Sequence, residues 1–318
     1  MKGIKLDIPT GKYILAVSGG VDSMTLLHLL VQKSQQQATS NKQQAEKNQF
    51  PVPSSQFLLV VAHFNHGIRP DSDKDEELVR KAAKKYQLPF EVGYGKLGST
   101  ASEETARKAR YRFLEQARDK YQAKAIITAH HQDDLLETAI INIIRGSGRR
   151  GLTAISENPD VIRPLLDVPK TKIMSYARRH KLKWREDLTN TDETKLRNYV
   201  RRQLVAKLTD EQRIELLKNI HKVAKIGQVE NQLIAKISHK LVKQDKISRS
   251  SFSALPIEVG NELVIYWLRE REFLAYTSKL VERLNLVIRA ARPNTRHKVS
   301  KDLELVTDKR LAYFINNN

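Results

Sequence analysis

Ile14-Leu15-Ala16-Val17-Ser18-Gly19-Gly20-Val21-Asp22-Ser23 carries four apolar residues straight into a Ser-Gly-Gly turn, and Leu26, Leu27, Leu29 and Leu30 follow. The pattern predicts a buried strand, a tight loop and a helix N-terminus. Two glycines let a backbone approach a ligand closely and take positive φ. A helix N-terminus adds free N–H groups and a dipole that favours anions. Ser18 and Ser23 supply hydroxyl donors, and Asp22 is a carboxylate of the kind that holds magnesium. The expected ligand is a phosphate group. The string is not a Walker A loop, because Gly11-Lys12 is followed by Tyr13 and lacks the earlier glycine. Nor is it the dinucleotide pattern GxGxxG.

Two more apolar runs end in polar motifs. Phe57-Leu58-Leu59-Val60-Val61-Ala62 leads into His63-Phe64-Asn65-His66-Gly67-Ile68-Arg69, and Ala125-Ile126-Ile127-Thr128-Ala129 leads into His130-His131-Gln132-Asp133-Asp134-Leu135-Leu136-Glu137-Thr138. Both runs predict buried strands. His63 and His66 suggest a metal site only if a third ligand is near. Asp133, Asp134 and Glu137 are spaced to share a helical face. Between these motifs come a helix over 71–86, a short strand at 89–92, and a helix carrying Arg107, Arg110 and Tyr111, capped by Thr100 or Ser102. Strands alternating with helices predict a parallel, doubly wound α/β sheet. In such a sheet ligands bind past the carboxyl ends of the strands, so the three motifs should converge on one edge.

Residues 32–56 are rich in Gln, Lys, Asn and Ser and end in Pro51-Val52-Pro53, which predicts a mobile connector. Arg145-Gly146-Ser147-Gly148-Arg149-Arg150-Gly151 reads as a flexible basic segment for phosphate contact. Arg197 and Arg201 are four apart on a predicted helix beside Tyr199. From Thr209 the texture becomes helical, with a long helix over 210–243 and further helix over 256–291. Residues 303–315 read as a hairpin with little to pair with.

The chain has 318 residues, enough for two domains, and 56 Lys and Arg against 36 Asp and Glu give a net charge of +20. That excess favours a polyanion, with nucleic acid before a membrane surface. No apolar run approaches the roughly 18 residues of a membrane span, and no signal core follows Met1. The absence of cysteine excludes disulfides, zinc–thiolate sites, iron–sulfur ligation and thiol catalysis. A cytoplasmic protein is expected.

Ser-Gly-Gly-Val-Asp-Ser at the end of an apolar strand resembles the pyrophosphate-binding loop of the PP-loop ATP pyrophosphatases. Further strings occur in order: His63 to Arg69, Ala106-Arg107-Lys108-Ala109-Arg110-Tyr111, His130 to Thr138, Arg145-Gly146-Ser147-Gly148, Arg163-Pro164-Leu165-Leu166, Glu186-Asp187-Leu188-Thr189-Asn190 and Arg197-Asn198-Tyr199-Val200-Arg201. Together, over about 12–205, they resemble the bacterial tRNA(Ile)-lysidine synthetases. The resemblance implies an adenine nucleotide alpha hydrolase-like sheet with a second, helical domain. It divides the chain into a catalytic domain at 1–205, a helical tRNA-binding domain at 206–298, and at 299–318 the start of a further C-terminal domain. It implies that ATP activates C2 of the wobble cytidine of a tRNA(Ile) with a CAU anticodon, and that free lysine then displaces AMP.

In that frame Ser18, Gly19, Gly20, Val21, Asp22 and Ser23 cradle the triphosphate, and Asp22 and Asp134 hold Mg2+. Arg110 supplies a cation, and Glu137 or Asp133 pairs with an ammonium of lysine. Arg145, Arg149, Arg197 and Arg201 bind tRNA, the last two holding RNA phosphate or the activated nucleotide. A homodimer is admitted and no membrane is involved. Where relatives tend to carry proline after the Arg-Asn-x-x-Arg string, Ala206 stands here. Competing readings are a tRNA thiolase of the same superfamily, which needs cysteine or an iron–sulfur cluster, an ammonia-using amide-forming relative, and a basic RNA-binding module without catalysis.

Overall fold

A computed structural model describes Ile4 and residues 6–47, 57–67, 71–95, 103–153, 155, 158, 160–186, 196–273 and 276–316. The chain divides into two compact units, Met1–His221 and Lys222–Asn318. The boundary expected at 205/206 precedes this division.

The first unit is built on β1 (Gly11–Ala16), β2 (Phe57–Asn65), β3 (Phe90–Tyr94), β4 (Ala125–Ile127) and β5 (Val161–Ile162). They form one sheet in the order β3-β2-β1-β4-β5, and every pair is parallel. Helices follow the strands: α1 (Val21–Lys47), α2 (Ser72–Lys85), α3 (Glu103–Tyr121), α4 (Gln132–Ile144), α5 (Arg149–Thr153) and α6 (Lys170–Arg179). Side chains alternate across the pleat and so feed two cores. Tyr13, Leu15, Phe57, Leu59, Val61, Ala125 and Ile127 pack with Leu26, Leu27, Leu30, Val79 and Ile173 on one face. Ile14, Val60, Ala62 and Ile126 pack with Leu114 and Ala117 of α3 on the other. The doubly wound parallel sheet is therefore what the sequence predicts. The strand order reverses between β1 and β4, which places a ligand crevice at their carboxyl ends.

One local expectation is corrected and one strand is added. Residues 32–47 are not a connector: α1 is one helix of 27 residues. Gln, Ala and Lys are good helix formers, and low hydrophobicity does not oppose a solvated helix. The rest of that connector, 48–56, lies outside the described residues, as do the Thr100 and Ser102 caps. The short strand β5, where only Arg163-Pro164 drew attention, completes the sheet beside β4.

After α6 the chain forms α7 (Leu196–Tyr199), a π-helical turn (Val200–Leu204) and a 3-10 turn (Val205–Lys207), and then α8 (Asp210–Leu241). Val200, Val205, Leu217 and Ile220 bury against Leu135, Leu136 and Ala139 of α4. This cluster fixes α4 by its apolar face and leaves its polar first turn at the strand ends.

The second unit contains the end of α8, α9 (Arg249–Ser253), α10 (Ile257–Arg269), α11 (Ser278–Ala290) and five short strands. These are β6 (Val242–Lys243), β7 (Lys246–Ser248), β8 (Thr295–Lys298), β9 (Leu303–Thr307) and β10 (Leu311–Asn316). They form an antiparallel sheet in the order β6-β7-β10-β9-β8. The hairpin at 303–315, expected to have little to pair with, therefore has partners on both sides. Leu305, Ala312 and Phe314 share a core with Leu263, Trp267, Leu268, Leu284 and Ile288. The partner strands escaped notice because Lys246-Ile247-Ser248 and Thr295-Arg296-His297-Lys298 are too short and polar to show alternation. Among the described residues no helix is long and apolar enough to cross a membrane.

Candidate active site

The loop after β1 is drawn tight by its own serines. Ser18 N–H donates to Ser23 Oγ at 3.2 Å, the two hydroxyls lie 3.2 Å apart, and Ser23 Oγ donates to the Gly20 carbonyl at 3.0 Å. Gly19 has φ +91°, a left-handed conformation that a side chain strongly disfavours. From neighbouring elements, Arg185 N–H donates to the Gly19 carbonyl at 3.0 Å, and the Arg185 side chain pairs with Asp71 and Asp75 around the start of α2. Beneath the loop, buried His63 donates from Nδ1 to the Val17 carbonyl at 2.8 Å. Burial holds its pKa below the usual imidazole value, so the ring is a neutral prop. His63 is thus turned into the structure rather than toward a metal, and among the described residues no three His, Cys, Asp or Glu side chains are grouped to hold one. Ile68 and Arg69 of the same motif lie outside the described residues, as do Asp187 to Asn190 of the later string.

The acids after β4 do not act as one face. His131 caps α4: its Nδ1 accepts from the Asp133 N–H at 3.2 Å, while Asp134 accepts from the His131 N–H at 2.9 Å. An accepting Nδ1 puts the proton of a neutral ring on Nε2. That nitrogen lies 3.7 Å from Asp22 and 3.6 Å from Asp134. Burial alone raises the Asp134 pKa, but His131, His130, the His131 N–H and Arg201 together carry it below the usual carboxylate range. Asp133 points elsewhere and accepts from Arg213 at 2.7 Å. Glu137 is fully buried, with Arg201 at 2.6 and 3.0 Å and Arg197 at 3.3 Å.

Asp22 is gripped by Lys170, whose ammonium lies 2.6 and 2.7 Å from its two oxygens. Lys170, Asp22, His131, Asp134, Arg201, Glu137 and Arg197 therefore form an unbroken run of polar and charged neighbours, with Arg201 3.7 Å from Asp134. The run is anchored by the phosphate loop, α4, α6, α7 and the π-helical turn. Arg197 and Arg201, expected to hold RNA phosphate or the activated nucleotide, both pair with Glu137 and keep about a third of their side chains exposed.

Arg110 stands apart, near His130. Burial pushes the His130 imidazole down to about 3, Asp134 opposes, and Arg163, Arg110 and Arg107 add to the fall. His130 Nδ1 lies 2.8 Å from the Thr128 hydroxyl. Arg110 and Arg107 both lie over the Tyr111 ring, at 5.7 and 4.9 Å. Arg145 is exposed at the other end of α4, about 16 Å along the helix from Asp134. Arg149 begins α5 beyond it.

Sequence reasoning missed Lys170, His131, Arg185 and Arg213. Each lies far in sequence from its partner or, for His131, looked like one of a histidine pair. Proline before Lys170 was a legible helix-start signal, but nothing local ties that helix to Asp22.

A parallel sheet whose first loop is a Ser-Gly-Gly-Val-Asp-Ser turn, with acids gathered after β4, defines a nucleotide-binding class. The chain belongs to the PP-loop domain family, which matches residues 3–208. Within that class it is similar to curated tRNA(Ile)-lysidine synthases. That of Thermotoga maritima is 34% identical over 203 residues, or 61% of this chain and 45% of the relative. That of Clostridium acetobutylicum is 30% identical over 259 residues, or 76% of this chain and 52% of the relative. The chain thus spans about half the length of the curated relatives it matches. Among solved structures, the U34-tRNA thiolase NcsA of Methanococcus maripaludis, which carries a [4Fe-4S] cluster, superposes with a TM-score of 0.53. At 16% identity, over 69% of this chain and 74% of the other, that likeness is one of fold.

Proposed function

We propose that this protein joins lysine to C2 of the wobble cytidine in a tRNA(Ile) with a CAU anticodon. ATP first adenylates the base with release of pyrophosphate, and the lysine amine then displaces AMP. The observation that carries the reading is the unbroken run from Lys170 and Asp22 at the phosphate loop to Glu137 and Arg197. It links a triphosphate cradle to acids and arginines suited to a second, amine-bearing substrate.

Asp22 and Asp134 both lie within 3.7 Å of one imidazole nitrogen of His131 beside a helix N-terminus. Two such carboxylates fit magnesium, which keeps most of its ligands as water and phosphate oxygens. When bound, the ion neutralises charge on the departing pyrophosphate. The chain's own residues do the rest. Ser18 and Ser23 hold the loop in shape, and the first N–H groups of α1 face the phosphates. Arg110, with Arg107 and Arg163, offers positive charge near His130.

The lysine cation is assigned to Asp133 or Glu137. The Asp133 side chain is 21% exposed and the Glu137 side chain 0%, so Asp133 is the readier partner in this arrangement. The wobble base must leave its stack, which costs least in a single-stranded loop. Exposed Arg145 and the second unit are assigned to tRNA phosphate contact, whereas the terminal nitrogens of Arg149 are buried.

The test is pyrophosphate release from ATP with the tRNA, first without lysine and then with it. Release without lysine, followed by AMP formation and loss of the free amino acid on its addition, is expected. Release that never consumes lysine would move the chain to another PP-loop activity. A sulfur transfer is disfavoured because the chain has no cysteine to bind a cluster or carry a persulfide.

A further inference from the structure

We propose that Lys170 is a resident counter-cation: it occupies the Asp22 carboxylate before nucleotide binds, then yields Asp22 to the metal and takes up the phosphates. This rests on the functional reading above. The ammonium meets both oxygens of Asp22, at 2.6 and 2.7 Å. A divalent ion and an ammonium cannot both take that position. The pair is also accessible, with side chains 34% and 27% exposed, so the exchange needs no unfolding.

The placement of Lys170 supports a role beyond packing. It is the first residue of α6, directly after Pro169, and the first turn of that helix contains no acid. A cation there opposes the helix dipole. A lysine at this position is unfavourable locally, and Asp22, 148 positions away, is what compensates it. Lysine suits an exchange because its charge sits on a flexible four-carbon stem with three donors. Swinging from a carboxylate to a phosphate oxygen keeps the ammonium paired throughout. The cation that blocks the metal in the empty site thus becomes a ligand of the leaving group in the filled one.

The consequence is a pair of effects with opposite signs. In nucleotide-free protein, Lys170→Met should tighten Mn2+, an EPR-visible stand-in for Mg2+, about tenfold, because its competitor is gone. At saturating Mn2+, the same variant should weaken a non-hydrolysable ATP analogue about tenfold, because a phosphate partner is gone. Lys170→Arg should restore most of the analogue binding. In an Asp22→Asn background, Lys170→Met should no longer change Mn2+ binding.

If Lys170→Met leaves both affinities unchanged, the pair is an ordinary ion pair and the proposal fails. If both weaken, Lys170 merely orients Asp22, and the proposal fails equally. Should the wild-type chain bind no ATP analogue, the functional reading falls, while the Mn2+ arm still decides whether Lys170 blocks Asp22.

Discussion

In the first unit Arg197, Arg201 and Arg213 each reach a carboxylate of α4, whereas in the second unit Arg249 and Arg289 reach main-chain carbonyls. Arg249 donates to Ile288 and Ala291 at the end of α11 and to Asp308 in the β9–β10 turn. Arg289 donates to Ser253 and Leu255 at the end of α9, and to Asn285. Such carbonyls have no partner within their own helices and need one. These arginines therefore gather around the α4 acids in one unit and close helix ends in the other, although Arg213 also donates to the Val205 carbonyl and Arg271 of the second unit pairs with Asp245. The lesson concerns the net charge of +20: part of it is internal scaffolding, so it overstates the cation free to meet a polyanion.

The strongest break between the two roles should come from Asp22→Ala. If the charged run serves catalysis, tRNA-dependent pyrophosphate release should fall at least about a hundredfold while the thermal midpoint stays close to wild type. Near-normal release would remove Asp22 from the site. A stability effect should dominate instead at Glu137 and Arg249. Glu137→Ala leaves two guanidiniums beside a fully buried position and should destabilise the first unit by about 3–5 kcal/mol. Glu137→Gln, which keeps hydrogen bonding, separates chemistry from folding: a raised lysine requirement with adenylation intact marks a lysine partner, and loss of both half-reactions marks the metal side. Arg249→Ala leaves its carbonyls without donors and should cost about 2–4 kcal/mol by denaturant unfolding, with pyrophosphate chemistry in the remaining folded protein unchanged. A catalytic defect from Arg249→Ala without destabilisation would erase the contrast between the units.

Acid sensitivity should be smaller and belongs to the first unit. His130 falls from 6.5 to about 3 on folding, so between those values the unfolded chain holds a proton that the folded one lacks. Stability is complete above about pH 6.5 and is lost as pH falls, by up to about 1.4 kcal/mol per pH unit for this ring. The lowered pKa values of His63 and Asp134 act in the same direction. His130→Gln should flatten the acid limb by one proton in pH-dependent unfolding, and an unchanged limb would show that the folded ring is protonated. The smallest effect is expected at exposed Arg145. Arg145→Ala should weaken tRNA binding several-fold and lower the log–log salt slope by about one, as loss of a single phosphate contact requires. An unaltered slope would place the RNA path elsewhere.

Much of the first unit could be read from the chain because its signals are local. An apolar run, two glycines and a helix start lie within Ile14–Leu30, and apolar runs ending in polar motifs recur at His63 and His130. The parallel sheet and its convergent motifs follow from that. What stayed hidden was pairing at a distance. Asp133, Asp134 and Glu137 were visible as acids on one turn, but their partners Arg213, His131, Arg201 and Arg197 give them three different roles. Nothing local ties Lys170 to Asp22, which folding brings beside it. The second unit hid its sheet for another reason: its edge strands are short and polar, and hydrophobic period cannot register them.

The strand order has a consequence for the making of the chain. β1 emerges first from the ribosome yet ends in the middle of its sheet, and one of its neighbours, β4, pairs Tyr13 with Ala125. At about 5–20 residues per second, synthesis needs on the order of ten seconds to deliver that neighbour. During the interval β2 and β3 can dock on one side, while the other edge of Tyr13-Ile14-Leu15 stands open as a template for any extended chain nearby. The nascent protein is therefore half a sheet with a sticky border, and the segment around Ala125 is the seal that ends its exposure.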